Sequence, residues 1–131
     1  MPEPSTRFDL PVTTAGQARS AITTLLDRVP GDTRAVRVDA HLVATELVTN
    51  ALRHGGGVTG FRTWLTADAT VLCIEVQDAA DRRPQEPAPE DRGPDRLGGR
   101  GWTIVLSLAA TCVVRPLPAR GKCIAVTLPV R

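Results

Sequence analysis

Two polar side chains lie one helical turn apart in the part of the sequence best able to do chemistry. Glu46 and Asn50 are four residues apart within an apolar repeat of helical spacing, so both emerge on one side of the helix, beside its apolar stripe. A carboxylate there can orient a nucleophile, and an amide oxygen is a ligand that Mg²⁺ prefers. A solvated polar flank is the plainer interpretation of the spacing alone. Arg53 and His54, one turn later, fit the cation preference of a helix C-terminus.

A second acidic residue follows an alternating apolar strand. Leu72, Ile74 and Val76 share one face by the two-residue period, and Asp78 is the next residue on that face. An inward carboxylate at this point suits a hydrogen-bond donor such as the amino group of a heterocycle. An Asp that initiates a turn at the strand end is the equally weighted alternative.

A glycine-rich entry precedes an apolar helix. Gly98, Gly99 and Gly101 leave backbone N–H groups free to approach an anion at the N-terminus of that helix. Such entries also occur as plain turns. Taken together, the three features predict a pocket walled by the Glu46 helix, floored by Asp78 and covered by residues 79–100.

The elements that must position these residues follow from periodicity and turn residues. The sequence predicts an α+β fold, a two-layer sandwich with a mixed, mostly antiparallel sheet and helices on one face. The predicted elements are an edge strand at 5–10, a helix at 14–29, a second helix that starts after Asp32 or Thr33 as N-cap and runs to His54, strands at 58–66 and 70–78, a helix at 101–110, and strands near 111–115 and 122–128.

The segment 79–100 differs in composition from the rest of the chain. It holds four prolines, five acidic residues and five arginines, and almost no apolar residue, so it cannot form core. An ordinary disordered loop is one interpretation, but a loop this long in a small domain is more often functional.

Composition limits the function classes. A chain of 131 residues with a net charge of +2 fits one domain, residues 1–131, without the basic stripe of a nucleic-acid module. Three widely spaced cysteines disfavour a zinc site or a disulfide framework. The sequence has no long apolar run and no signal pattern, so we expect a cytoplasmic protein that binds neither membrane nor nucleic acid.

Four stretches of this sequence resemble the motifs of a known protein family. The stretch HLVATELVTNALRHGGG (41–57) resembles the N box of the GHKL ATP-binding superfamily, and ELVTNALRHG within it is especially similar to the small RsbW-type anti-sigma-factor serine/threonine kinases. The resemblance continues through EVQD (75–78), GRGWTIVLSLA (99–109) and GKCIAVTLP (121–129). It implies the histidine-kinase-like ATPase (Bergerat) fold.

The resemblance also implies roles for individual residues. It makes residues 79–100 an ATP lid, and it makes ATP and Mg²⁺ the cofactors. The implied site consists of Glu46 as the general base or orienting group, Asn50 as the Mg²⁺ ligand, Asp78 as the acceptor for the adenine amino group, and Gly99, Arg100 and Gly101 at the phosphates.

The implied reaction is transfer of the γ-phosphoryl group to a Ser or Thr of a STAS-domain anti-anti-sigma factor. The same protein would sequester a sigma factor. Proteins of this type are commonly homodimers, and the first strand and first helix are candidates for that contact.

Three positions depart from the family pattern and keep other functions open. Ala80 stands where the first glycine usually lies, Cys123 where a Thr usually helps to hold the adenine, and Trp102 where a Leu is usual. A degenerate binding module that sequesters proteins without phosphoryl transfer is therefore the alternative. A detached histidine-kinase catalytic domain fits less well, because His41 lies inside the N-box helix.

Overall fold

The predicted order of strands and helices is confirmed. The structure is a computed structural model that describes residues 12–81 and 101–130, and the backbone alone of residues 6–9. Most of the predicted lid, residues 82–100, lies outside the described residues, and so do Gly99 and Arg100. The elements are β1 (Thr6–Asp9), α1 (Ala15–Leu26), α2 (Arg34–His54), β2 (Val58–Leu65), β3 (Val71–Asp78), α3 (Gly101–Leu108), β4 (Thr111–Pro116) and β5 (Lys122–Pro129).

The described strands form one sheet in the order β1-β2-β3-β5-β4, with β1 at an edge as predicted. The sequence suggested a mixed, mostly antiparallel sheet, but all four pairings are antiparallel. The reason is that β5 lies between β3 and β4. Although β3 and β4 run in the same direction, they never become neighbours, so no parallel pair forms.

The three helices pack on one face of this sheet, where the strands alternate apolar side chains. Opposite each other across β3 and β5 lie Ile74 and Val126, and also Val76 and Ile124. All four are at most 1% exposed and join one core with residues of α1, α2 and α3. Burial of each such side chain contributes about 1.5–3 kcal/mol, so the sheet face and the helices stabilise one another.

Helix α2 carries the candidate residues, and both of its ends are well defined. At the start, the Asp32 carboxylate accepts from the Arg34 N–H at 3.0 Å, while the Thr33 side chain makes no capping bond. At the end, the Ala51 carbonyl accepts from the N–H groups of Gly55 (3.0 Å) and Gly57 (2.9 Å). These bonds turn the chain sharply and bring Gly55 against the end of β3.

Among residues 12–81 and 101–130, no helix is both long and apolar enough to cross a bilayer.

Candidate functional site

Glu46 and Asn50 lie on α2 as a pair of half-buried polar side chains. Neither forms a hydrogen bond with another described residue. Their neighbours Leu47 and Val48 are in the core, at most 1% exposed. The carboxylate and the amide therefore sit at the margin of the core with their hydrogen-bonding capacity unused by the described part of the protein.

Gly101 brings the N-terminus of α3 to Glu46. A Cβ atom built on Gly101 would overlap the Oε2 atom of Glu46. A methyl group at this position would displace the end of the Glu46 side chain. The first N–H groups of a helix lack intrahelical acceptors and lie at the positive end of its dipole, so this backbone favours an anion beside Glu46.

The chemistry of these donors fits a hard cation and phosphate oxygens. The described residues contain no group of three or more His, Cys, Asp and Glu side chains that could hold a metal. A Mg²⁺ ion here would depend on the amide oxygen of Asn50, completed by phosphate and water oxygens. Mg²⁺ is commonly bound in this way, through one or two protein oxygens plus substrate phosphates.

Beside the C-terminal end of α2, Asp78 forms a buried ion pair with Lys122. Asp78 is the last residue of β3, and its cross-strand partner Lys122 is the first residue of β5. The Nζ atom of Lys122 lies 2.9 Å from Oδ2 and 3.0 Å from Oδ1 of Asp78. The two side chains are 5% and 2% exposed, so the inward carboxylate already has a counter-charge.

Backbone groups enclose this ion pair. The N–H of Ala80 donates to Oδ1 of Asp78 at 3.0 Å, and the Nζ of Lys122 donates to the Ala80 carbonyl at 3.4 Å. A Cβ on Gly55 would lie 2.6 Å from the Asp78 Cγ, and one on Gly121 would overlap the Asp78 carbonyl oxygen. The carboxylate is therefore held by its partners and by two close backbone approaches.

The sequence did not lead us to Lys122. It placed Cys123 at the position that helps to hold the adenine, and this prediction was wrong. Cys123 points to the opposite face of the sheet, where its Sγ lies 3.6 Å from an Arg115 guanidinium nitrogen. Burial is the main cause that raises the pKa of this thiol. The sequence did hold a sign: Lys122, the only lysine of the chain, continues the inward alternation of Ile124 and Val126.

The other two departures from the family pattern have different surroundings. Ala80 contributes backbone groups to the Asp78–Lys122 pair. Trp102 is half-buried and packs against the apolar core from the first turn of α3.

A family model described as a histidine kinase-like ATPase domain matches residues 9–128. Among the curated proteins, none matches the chain significantly. A domain of this family binds ATP, usually together with Mg²⁺. Because the match runs from the last residue of β1 into β5 and includes the three helices, the chain belongs to the histidine kinase-like ATPase domain family, within the GHKL-type superfamily.

Proposed function

We propose that this ATP-binding domain is an Mg²⁺-dependent serine/threonine protein kinase of the RsbW type. Its phosphoryl acceptor would be a STAS-domain anti-anti-sigma factor, and it would sequester a sigma factor. The observation that supports this most is the half-buried pair Glu46 and Asn50, whose polar atoms have no described partner, beside the close backbone approach of Gly101.

In this proposal, the Glu46–Asn50 pair and Asp78 have separate tasks. Asn50 would hold Mg²⁺, which would neutralise phosphate charge, and the backbone at Gly101 would bind the phosphates. Asp78 faces the amino group of the adenine. Gly99 and Arg100, which lie outside the described residues, keep their proposed place at the phosphates.

Glu46 would act on the attacking hydroxyl. The Ser or Thr oxygen of the partner forms a bond to the γ-phosphorus as the bond to the β–γ bridging oxygen breaks, and ADP leaves. The carboxylate of Glu46 orients the hydroxyl and takes its proton. Phosphoryl transfer of this kind depends on positioning and electrostatics, since the protein forms no covalent intermediate.

The test is transfer of labelled γ-phosphate to a panel of STAS-domain proteins from the same genome. Glu46→Gln keeps the side-chain size and removes the base, so transfer should fall by about 10²–10⁴-fold, while affinity for Mg-ATP changes little. Thr49→Ala, on the same helix, is the control and should transfer at the wild-type rate. Wild-type transfer by Glu46→Gln would remove Glu46 from this role.

A second candidate is supported by the Asp78–Lys122 ion pair. Because Lys122 already neutralises Asp78, the pocket could be a degenerate one in which the fold binds partner proteins without phosphoryl transfer. Such a module would form its partner complex equally well with and without Mg-ATP. Stoichiometric binding of Mg-ATP to the purified chain would count strongly against this candidate.

A further inference from the structure

The buried ion pair between Asp78 and Lys122 contributes less to stability than its geometry suggests. Moving two charges out of water is costly, and an apolar pair of similar volume is often equally stable or more so. The next inward positions on the two strands are in fact apolar, Val76 and Ile124, and each is 1% exposed. The presence of charges at this single position therefore points to a role beyond folding.

The pair also keeps unused hydrogen-bonding capacity. Within the described residues, Oδ2 of Asp78 accepts only from Lys122, whereas a carboxylate oxygen has two lone pairs. On the ammonium group, the bond to the Ala80 carbonyl is long, at 3.4 Å, and one N–H can turn from it to a better acceptor. One acceptor and one donor thus lie side by side.

The position of the pair along α2 matches one end of a nucleotide. Asp78 packs against Gly55, and Glu46 lies nine residues before Gly55 in the chain. At 1.5 Å per helical residue, these two levels are roughly 13 Å apart. That distance is comparable to an extended nucleoside triphosphate, so a ligand whose phosphates lie near Glu46 would present its base to the pair.

Resting on the proposed binding of ATP, we propose that Lys122 is a specificity-determining residue that donates to N1 of the adenine while Asp78 accepts from the 6-amino group. The pair then selects a base with an amino donor next to a ring-nitrogen acceptor. Guanine and hypoxanthine would turn O6 toward the carboxylate and N1–H toward the ammonium, so both contacts would be repulsive.

The test is calorimetric titration of the full chain with Mg-ATP and with the Mg²⁺ complex of 1-deaza-ATP, which lacks only the N1 acceptor. The wild-type protein should bind 1-deaza-ATP about 10- to 100-fold more weakly, the range for a lost hydrogen bond to a charged group. In Lys122→Met, the two nucleotides should bind with equal affinity. Because Lys122→Met leaves Asp78 without a counter-charge, Asp78→Asn/Lys122→Met is the second variant, with the same expected equality.

The outcomes separate this inference from the proposed function. Equal wild-type affinity for the two nucleotides would overturn the role of Lys122 and leave ATP binding intact. A preference for ATP that persists in either Lys122 variant would assign the N1 contact to another group. Failure of the wild-type protein to bind either nucleotide would overturn both proposals.

Discussion

The two ends of the candidate site, at Glu46 in the middle of α2 and at Asp78 beside Gly55 after the last turn of α2, differ in how their polar groups are satisfied. At the Asp78 end, the charges of Asp78 and Lys122 satisfy each other, and glycine backbones pack against the carboxylate. At the Glu46 end, Glu46 and Asn50 stay half-buried without a described partner. We therefore expect substitutions at the Asp78 end to reduce stability as well as nucleotide selectivity, whereas substitutions at the Glu46 end should reduce ligand binding and chemistry with little loss of stability.

The largest expected effect is at the Asp78 end. Lys122→Met leaves a buried carboxylate without its counter-charge, so we expect the free energy of unfolding to fall by about 3–5 kcal/mol. Urea denaturation would measure it. Asp78→Asn/Lys122→Met should recover a large part of the loss. A loss below about 1 kcal/mol for Lys122→Met is typical of an exposed ion pair. Such a loss would contradict the burial of the Asp78–Lys122 pair.

Gly121→Ala should have the next largest effect. The residue has a φ of +89°, and its Cβ would overlap the carbonyl oxygen of Asp78. Backbone strain and the displacement of a strand end together should cost about 2–4 kcal/mol.

Gly57→Ala is the matched control for Gly121→Ala. Gly57 has a φ of +105°, but no atom lies within 4 Å of its Cβ position. Strain alone should cost about 1–2 kcal/mol there. Equal losses in the two variants by urea denaturation would show that the close approach to Asp78 adds nothing.

At the Glu46 end, Gly101→Ala should separate function from stability. The new methyl group overlaps only the flexible end of the Glu46 side chain, and alanine favours the helix, so stability should change by less than about 1 kcal/mol. Phosphoryl transfer should fall by about tenfold or more because the base is displaced. A Gly101→Ala variant that unfolds as readily as Gly121→Ala would remove the difference between the two ends.

The smallest effect concerns His41, at the contact between α1 and α2. Its Nε2 lies 2.9 Å from the Thr23 hydroxyl, and burial, followed by the charges of Arg19 and Arg37, lowers its pKa below 6.5. The unfolded state then binds the proton more readily, so stability is full above pH 6.5 and is lost as the pH falls from 6.5 through the folded-state pKa.

Thermal unfolding between pH 7.5 and 5 would measure this effect. The melting temperature should decrease at the acid end less in His41→Gln than in the wild type. Because His41 lies outside both ends of the site, Mg-ATP affinity at pH 7.5 should be the same in the two proteins. An identical pH profile would show that His41 does not cause the acid sensitivity.

Much of the fold was accessible from the sequence because its elements are strongly periodic. The apolar repeats predicted α1 and α2, and the alternation in β3 placed Asp78 on the inward face, where it is 2% exposed. The glycines after α2 correctly indicated its end at Gly55. Each of these features depends on residues close together in the chain.

The rest depended on contacts between distant residues. Asp78 and Lys122 are 44 residues apart in the sequence. They lie opposite each other only because of the register in which β3 pairs with β5. In the same register, Cys123 points to the opposite face of the sheet. The sequence comparison placed Cys123, one residue after Lys122, at the adenine, and a shift of one residue along a strand exchanges its two faces. The approach of Gly101 to Glu46 likewise follows from the packing of α3 on α2, which local spacing does not determine.

The most direct test of the account is calorimetric titration with Mg-ATP of the wild type, Asn50→Ala and Thr49→Ala. We predict stoichiometric binding to the wild type and to Thr49→Ala, with binding lost in Asn50→Ala while all three proteins stay folded. No binding heat and no thermal shift in the wild type, or unchanged affinity in Asn50→Ala, would contradict it.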